Sequence, residues 1–446
     1  MMTNEKMLFM DLINKIKSKD FSNVRFYIKN TKNLSVNVYE GEREKSTHSL
    51  ENAYFVEAGK NGKRCCTFFN SLDMGEDVLN QLEISAMSSD EEYNPIPLFD
   101  NSQEYSDEFT FIPENEITDM LISAEKTMRT NNKIASVKNC SCNQYIEEII
   151  LMDEKGNTMT DSGHNINIAF GVKSAEDNAV EIAWEEKNTT DLAKIDVNKF
   201  AEETARLASD RLYAEPVKSG KYQVVLRNTA AAELISAYLP IFSALEVQNG
   251  MSKLKGKLGK SIAASEINLI EKPFYEKGVA NRHFDDEGIA VTEKYLIKNG
   301  ICQSFLYNRK AALNENCEST GNGFKSGVSS NVGISVTNAI FENALGKGFS
   351  QEEIFNEMKN GLYVTDLEGV FAGANAVSGN FSLLCKGMII ENGKAAKPFC
   401  KVTIAGNFFD LLNDIKLFGN DPMPTSGGNF VESPSLLIGS LAVSGE

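Results

Sequence analysis

From residue 221 onward the chain is cut into short β-rich runs, each closed by a glycine or asparagine turn. Runs of that kind occupy residues 295–300 (YLIKNG), 361–369 (GLYVTDLEG), 379–393 (GNFSLLCKGMIIENG) and 400–407 (CKVTIAGN). Strands this short and this regularly punctuated pair locally, so they predict an antiparallel sheet or barrel-like core. Short helices fit residues 351–360 and 408–415. The half opens with an apolar strand (Val224, Val225, Leu226) that runs into Asn228 or Thr229, either of which can cap a helix by accepting a hydrogen bond from a free first-turn amide. Leu234, Ile235, Tyr238, Leu239, Phe242 and Leu245 then recur at helical spacing. Pro240 falls inside that stripe and predicts a kink or break.

The first half has a different texture, one pattern used twice. A helix over residues 4–19 with an apolar face of Leu8, Phe9, Leu12, Ile13 and Ile16 leads into β-rich runs at 24–30, 34–42, 54–56 and 65–69, and a helix over 75–87 closes the set. An acidic, proline-containing stretch, SSDEEYNPIPLFDNSQEYSDEF, follows as an irregular loop. The second round has a helix over 114–130, strands at 134–142, 145–152, 165–172 and 180–185, turn chemistry at 154–157, and a helix over 196–212. The pattern repeats but the residues do not. Residues 215–220 (EPVKSG) form the clearest boundary in the chain. The expected class is therefore α+β: two helix–meander–helix units at 1–90 and 114–215, an acidic linker at 91–113, and a predominantly antiparallel β domain with a few helices at 221–446.

Composition narrows the functional classes. At 446 residues, with 42% hydrophobic and 24% charged residues, the chain can bury a large core, and it has no apolar run long enough to cross a bilayer. The N-terminus lacks the continuous apolar segment of a signal peptide, so the cytoplasm is the expected compartment. A formal net charge of −17 argues against a nucleic-acid partner. Lys253, Lys255, Lys257 and Lys260 form a local basic loop with no interleaved aromatics, which suits a solvated loop better than an anion site. The eight cysteines show no C-x-x-C pair and are expected to be buried, reduced thiols; Cys140 and Cys142 would share one strand face. The three histidines, His48, His164 and His283, are far apart, and none sits in a recognisable nucleophile context.

Seven short motifs occur in a fixed order: residues 252–259 (SKLKGKLG), 284–288 (FDDEG), 319–323 (STGNG), 361–365 (GLYVT), 378–382 (SGNFS), 387–393 (GMIIENG) and 404–407 (IAGN). In this order they resemble the TldD/PmbA (TldE) family, once called modulators of DNA gyrase. The best-marked resemblance covers the C-terminal half. It implies a peptidase system in which one subunit type, TldD, carries H-E-x-x-x-H on the helix after the first C-terminal strand, completed by a cysteine near the C-terminus. Two such imidazoles about a helical turn apart grip one zinc while the intervening Glu acts as base toward the bound water. Here the corresponding helix reads LISAYLP over residues 234–240, with Glu233 its only carboxylate. Where the catalytic type has T-C-G, this chain reads Thr425-Ser426-Gly427. The resemblance is thus to the PmbA/TldE branch, the non-catalytic partner type, and implies zinc in a TldD-like partner with no catalytic residue and no metal ligand in this chain.

Candidate residues for contact with an extended, unfolded peptide lie in the loops of these motifs. His283, Asp285 and Glu287 would share one face of an extended segment, with Asp286 on the other. A hard cation could use such carboxylates, but a turn or peptide-positioning role suits three neighbouring strand positions better. Thr320, Asn322 and Asn380 sit in polar loops that could either hydrogen-bond a peptide or simply form turns. Three functions are compatible with the sequence. The first is a pseudo-enzyme subunit in a heterodimer with a TldD-like chain, sharing in the grip on unfolded peptide by strand addition. The second is a metallopeptidase with an unconventional site. The third is a stand-alone peptide-binding homodimer.

Overall fold

The computed structural model describes residues 3–106, 109–425 and 429–446. The chain opens with α1 (Thr3–Lys17), followed by three strands, β1 (Ser22–Tyr39), β2 (Glu42–Lys60) and β3 (Lys63–Phe69), and α2 (Gly75–Ser88). After a short β4 (Gln103–Tyr105) come α3 (Glu114–Arg129), β5 (Ile134–Met152), β6 (Thr158–Glu176), β7 (Ala179–Thr189) and α4 (Val197–Asp210). Both rounds of the pattern enter one sheet of order β3-β2-β1-β5-β6-β4, with β7 beside β6. The junction is the antiparallel pairing of β1 with β5, from Phe26 opposite Met152 to Asn37 opposite Ser141.

The strands are longer than their sequence suggests. The polar stretch 31–33 (TKN) looks like a break between two strands, yet β1 is continuous through it because β2 and β5 pair with it on both sides. In β5, Asn143 likewise interrupts nothing. Side chains alternate across a strand, and the even positions of β1, β5 and β6 point to the helices. Phe26, Ile28, Ile150 and Met152 pack with α1 and α2, and Leu34, Val36, Cys140, Cys142, Ile168 and Phe170 pack with α3 and α4. The odd positions form the opposite face. At one end of it Tyr27, Phe55, Ile149 and Leu151 pack on Phe284 of the second half. At the other end the face is a polar field.

The second half begins with β8 (Gly220–Leu226), which lies between residues 361–368, a parallel neighbour, and residues 436–444, an antiparallel one. Its sheet runs through the strands at 394–407, 380–391, 361–368, β8, 436–444 and 415–418, and Thr403–Ala405 also pair with Ala442–Ser444. That extra pairing closes the sheet on itself, the barrel-like core expected from the punctuated runs. A second six-stranded sheet holds residues 267–271, 294–298 and 338–343 among others. The class is α+β with mostly antiparallel pairing; β8 with 361–368 and 338–343 with 430–433 are the parallel pairs of these two sheets.

Helix α5 (Asn228–Tyr238) follows β8 directly, and its Ala230, Ala231, Ala232, Leu234, Ile235 and Tyr238 are buried in the main core. Asn228 does not cap it from outside but forms its first residue. Its N–H donates to Ser435 Oγ (3.1 Å) and its side-chain amide to the Asp421 carbonyl (2.7 Å), which satisfies one orphan amide of the helix start and ties it to the last strands. The helix ends at Tyr238; Pro240 then sits in a 3-10 turn, Leu239–Phe242, before α6 (Ala244–Gln248), capped by Ser243. The break at Pro240 is the one the sequence predicts. Among the described residues no helix is long and apolar enough to cross a membrane.

Candidate functional site

The FDDEG motif is a closed turn, so His283, Asp285 and Glu287 do not share one face of an extended segment. Asp285 N donates to the Ile289 carbonyl (2.9 Å) and Gly288 N to the Asp285 carbonyl (2.9 Å). Gly288 has φ +83°, and a Cβ there would meet the Arg25 guanidinium at 2.9 Å, so two constraints exclude a side chain. Because the backbone turns, the three candidate side chains diverge. Asp285 folds back on its own turn, accepting from Glu287 N (3.0 Å), Ile289 N (2.9 Å) and Gly323 N (2.8 Å). Glu287 accepts from Arg309 N (2.7 Å), and its carbonyl accepts from Arg25 of the N-terminal sheet (2.9 Å). His283 instead reaches Asp161 of β6, with Nδ1 at 3.0 Å from the carboxylate, and its ring stacks on Tyr105 (centroids 4.1 Å apart). Burial pushes Asp285 up to about 6, and burial followed by the neighbouring Asp285 pushes Glu287 up to about 7.

Thr320 and Asn322 join this region through a second buried acid. Glu271 is fully buried and accepts through both carboxylate oxygens from Asn322 Nδ2 (2.9 and 3.0 Å), from Thr337 N (2.8 Å) and Oγ1 (3.2 Å), and from Lys294 Nζ (2.8 Å). Thr320 Oγ1 donates to Asn322 Oδ1 (2.7 Å). A buried carboxylate with a lysine and three donors is compensated in the way a desolvated charge requires. The fold thus brings Asp285, Glu287, Thr320 and Asn322 into one hydrogen-bonded block beneath the loops. Asn380 stands apart and exposed, its amide oxygen accepting from Asn407 (2.8 Å) and its carbonyl from Tyr238 of α5 (2.9 Å).

Helix α5 follows the first strand of the second half, the place where the resemblance expects H-E-x-x-x-H in the catalytic type. Leu234, Ile235 and Leu239 are core residues, and Tyr238 stacks on Phe408 (4.2 Å) while its hydroxyl donates to the Gly379 and Asn380 carbonyls. The one acid on the helix, Glu233, is pushed up to about 7 by burial and then by Asp366 and Glu185. Its surroundings are two arginine–carboxylate pairs: Arg227 with Glu185 of β7 (2.8 and 3.1 Å), and Arg211 with Asp366. This set has no imidazole and no thiolate, so it does not fit the zinc of an H-E-x-x-x-H centre. Among the described residues no group of three or more His, Cys, Asp or Glu side chains could hold a metal ion. Thr425 lies in the described chain, with its hydroxyl donating to the Asn429 carbonyl (2.6 Å); Ser426 and Gly427 lie outside the described residues.

The histidines are separated in the fold as in the sequence, His48 against Glu114 and His164 against the Thr190 carbonyl. Cys140 and Cys142 do share the helix-facing side of β5, and burial pushes both thiols up to about 12. Cys317 departs from the expected burial and is exposed. The basic loop forms the rim of a cavity of about 380 Å³ over Leu254, Ile262 and Phe409, with Asp410 beside the lysines. What sequence reasoning missed is the cavity of about 260 Å³ where the sheet meets the second half, walled by Tyr145, Glu147, Asp161 and Asn165 on one side and by Asn281, Arg282 and Phe324 on the other. The signal was present as asparagine alternating with apolar residues in 33–37 and 165–168, a strand with a polar face.

Comparison with known proteins gives these features a context. The profile of the PmbA/TldA metallopeptidase C-terminal domain matches residues 219–445. The chain is similar to the metalloprotease PmbA of Escherichia coli O157:H7, at 29% identity over 242 residues, covering 54% of this chain and 50% of that one, so the match spans half of that relative's length. A PmbA homologue of Buchnera aphidicola subsp. Acyrthosiphon pisum is 24% identical over 95% of this chain and 93% of its own. Among solved structures, TM0727 of Thermotoga maritima superposes with a TM-score of 0.84 at 26% identity, covering 98% of this chain and 99% of that one. TldE of Thermococcus kodakarensis shares the fold at a TM-score of 0.83 and 21% identity, covering 98% of this chain and all of that one.

Proposed function

Because this chain belongs to the PmbA/TldD metallopeptidase family, we propose that it is the PmbA/TldE-type subunit of a heteromeric zinc peptidase, one that positions unfolded peptide for a TldD-like partner and performs no hydrolysis itself. The observation that carries this reading is helix α5. An H-E-x-x-x-H centre needs a helix whose imidazoles project into an open cleft; here the same stretch projects Leu234, Ile235 and Leu239 into the core. The buried Asp285–Glu287 turn and the Asn322–Glu271 pair set the shape of the surrounding loops, and Asn380 offers an exposed amide beside α5. In this role the side chains named here bind and orient, and the zinc and its water belong to the partner.

Mixing tests it. The purified chain, saturated with zinc, is expected to release no product from an unfolded polypeptide, and addition of a homologue bearing H-E-x-x-x-H is expected to yield cleavage above that of the homologue alone. Chelator-sensitive cleavage by the isolated chain would overturn the proposal.

A further inference from the structure

The odd-numbered face of the N-terminal sheet has an unusual composition for strands. Asn33 and Asn37 on β1, Asn143 on β5, Asn165 and Asn167 on β6 and Asn188 on β7 all lie on it, with Ser35 and Tyr145 between them. They form transverse rows: Ser35 opposes Asn143, Asn143 opposes Asn167, and Asn167 opposes Asn188. Asparagine is depleted in strands because its short amide competes for the backbone. The field therefore works against the stability of the sheet, which comes from the helix-facing side. In a chain of net charge −17 the asparagine rows themselves carry no charge; the charged side chains of this face flank them, Lys29 with Glu147 at one end, Lys45 and Glu51 on β2 opposite Asn37 and Thr31, and Glu186 on β7. Asn33, Asn37 and Asn143 have no side-chain hydrogen bond among the described residues, and the Asn165 amide oxygen has no partner although its Nδ2 donates to Asn188 (2.9 Å). The field ends in the 260 Å³ cavity against the second half.

We propose that this asparagine field, with the cavity at its end, binds the main chain of an extended polypeptide. The inference rests on the peptide-handling role proposed above and assigns its surface. A primary amide carries the same pair of groups as a peptide unit, one acceptor and N–H donors. Uncharged rows of such amides can hydrogen-bond successive peptide units whatever their side chains, and they repel neither acidic nor basic sequences. A saccharide is the other ligand of amides beside aromatics. It is disfavoured because the Trp184 ring lies on Gly171, where a Cβ would meet it at 2.7 Å, and the Tyr145 hydroxyl is tied to Glu147 (2.9 Å).

Trp184 is the only tryptophan, 56% exposed at the edge of the field, so its emission reports occupancy. The probe is reduced, carboxymethylated ribonuclease A, which is unfolded and tryptophan-free. The full-length chain is expected to bind it with a blue shift of Trp184 emission. The triple variant Asn33→Thr/Asn143→Thr/Asn167→Thr, in which a better strand former replaces each amide, is expected to bind at least about tenfold more weakly with an unchanged or higher melting temperature. Equal binding by the triple variant would overturn the inference and leave the subunit role intact. Displacement of the polypeptide by a neutral oligosaccharide such as maltoheptaose would overturn it in favour of a sugar site. Absence of binding by the unaltered chain, alone and mixed with a catalytic homologue, would sink the peptide-handling role itself.

Discussion

Glu287 holds a proton that a solvated glutamate would have released. Its carboxyl group is buried against Arg309 N and beside Asp285, which raises it from the usual 4.5 to about 7. Between those values the folded chain binds a proton that the unfolded chain lacks, so stability falls as pH rises. The contribution is intact below about pH 4.5 and is lost above about pH 7. At 1.36 kcal/mol per pK unit this is about 3 kcal/mol of pH-dependent stability. Glu287→Gln keeps an acceptor for Arg309 N and cannot ionise. Urea melts at pH 5 are expected to place the variant close to the unaltered chain, and melts at pH 8 are expected to place it above by about 2 kcal/mol. Parallel pH profiles for the two proteins would show that Glu287 does not carry the titration. Gly288→Ala, at φ +83° and 2.9 Å from Arg25, is expected to lose about 2 kcal/mol at every pH, a flat offset that separates backbone strain from proton linkage.

At the level of elements, α5 shows why a motif cannot be moved onto a matching helix. Writing H-E-x-x-x-H onto residues 234–239 requires Leu234→His, Ile235→Glu and Leu239→His, and all three side chains are at most 4% exposed. Burying an uncompensated imidazole or carboxylate costs several kcal/mol, so the grafted chain is expected to melt at least about 10 °C lower and, by metal analysis, to retain no stoichiometric zinc. Stoichiometric zinc in a folded graft would mean that α5 faces a cleft after all. The parts legible in the sequence were those set by local chemistry: the apolar stripe of α5, its break at Pro240, and the glycine and asparagine turns that cut the second half into antiparallel strands. The parts missed were set by pairing at a distance. Residues 31–33 fell between two runs because Thr, Lys and Asn carry no apolar alternation, and only β2 and β5 on either side hold them in β1. A turn at FDDEG was open to the sequence, but nothing in its residues announces that Asp285 will accept three backbone amides, one of them from Gly323.

On the scale of the whole molecule, the N-terminal sheet and the second half are joined largely through charged groups. Arg25 donates to the Glu287 carbonyl, Arg227 holds Glu185 with two bonds, Arg211 holds Asp366, and Lys325 Nζ lies 3.7 Å from the centre of the Phe55 ring. Burial lowers Arg25 and lowers Lys325 to about 8, so these cations are desolvated and depend on their partners. Removing one member of such a contact leaves the other buried and unpaired, at about 3 kcal/mol, whereas the two cores on either side are separate apolar clusters that keep their own packing. Weakening the seam should therefore divide the unfolding before it abolishes either fold. Calorimetry of the unaltered chain is expected to show one cooperative transition, and Arg25→Ala/Arg227→Ala is expected to show two, with near-unchanged total enthalpy. Arg25→Met, which fills the space without a charge to compensate, should restore part of the coupling. A single transition in the double-alanine variant, shifted but not split, would place the cohesion of the two halves in apolar contacts such as Phe284 against Tyr27 and Leu151, and the seam's arginines would then matter to the loops they hold rather than to the union of the two halves.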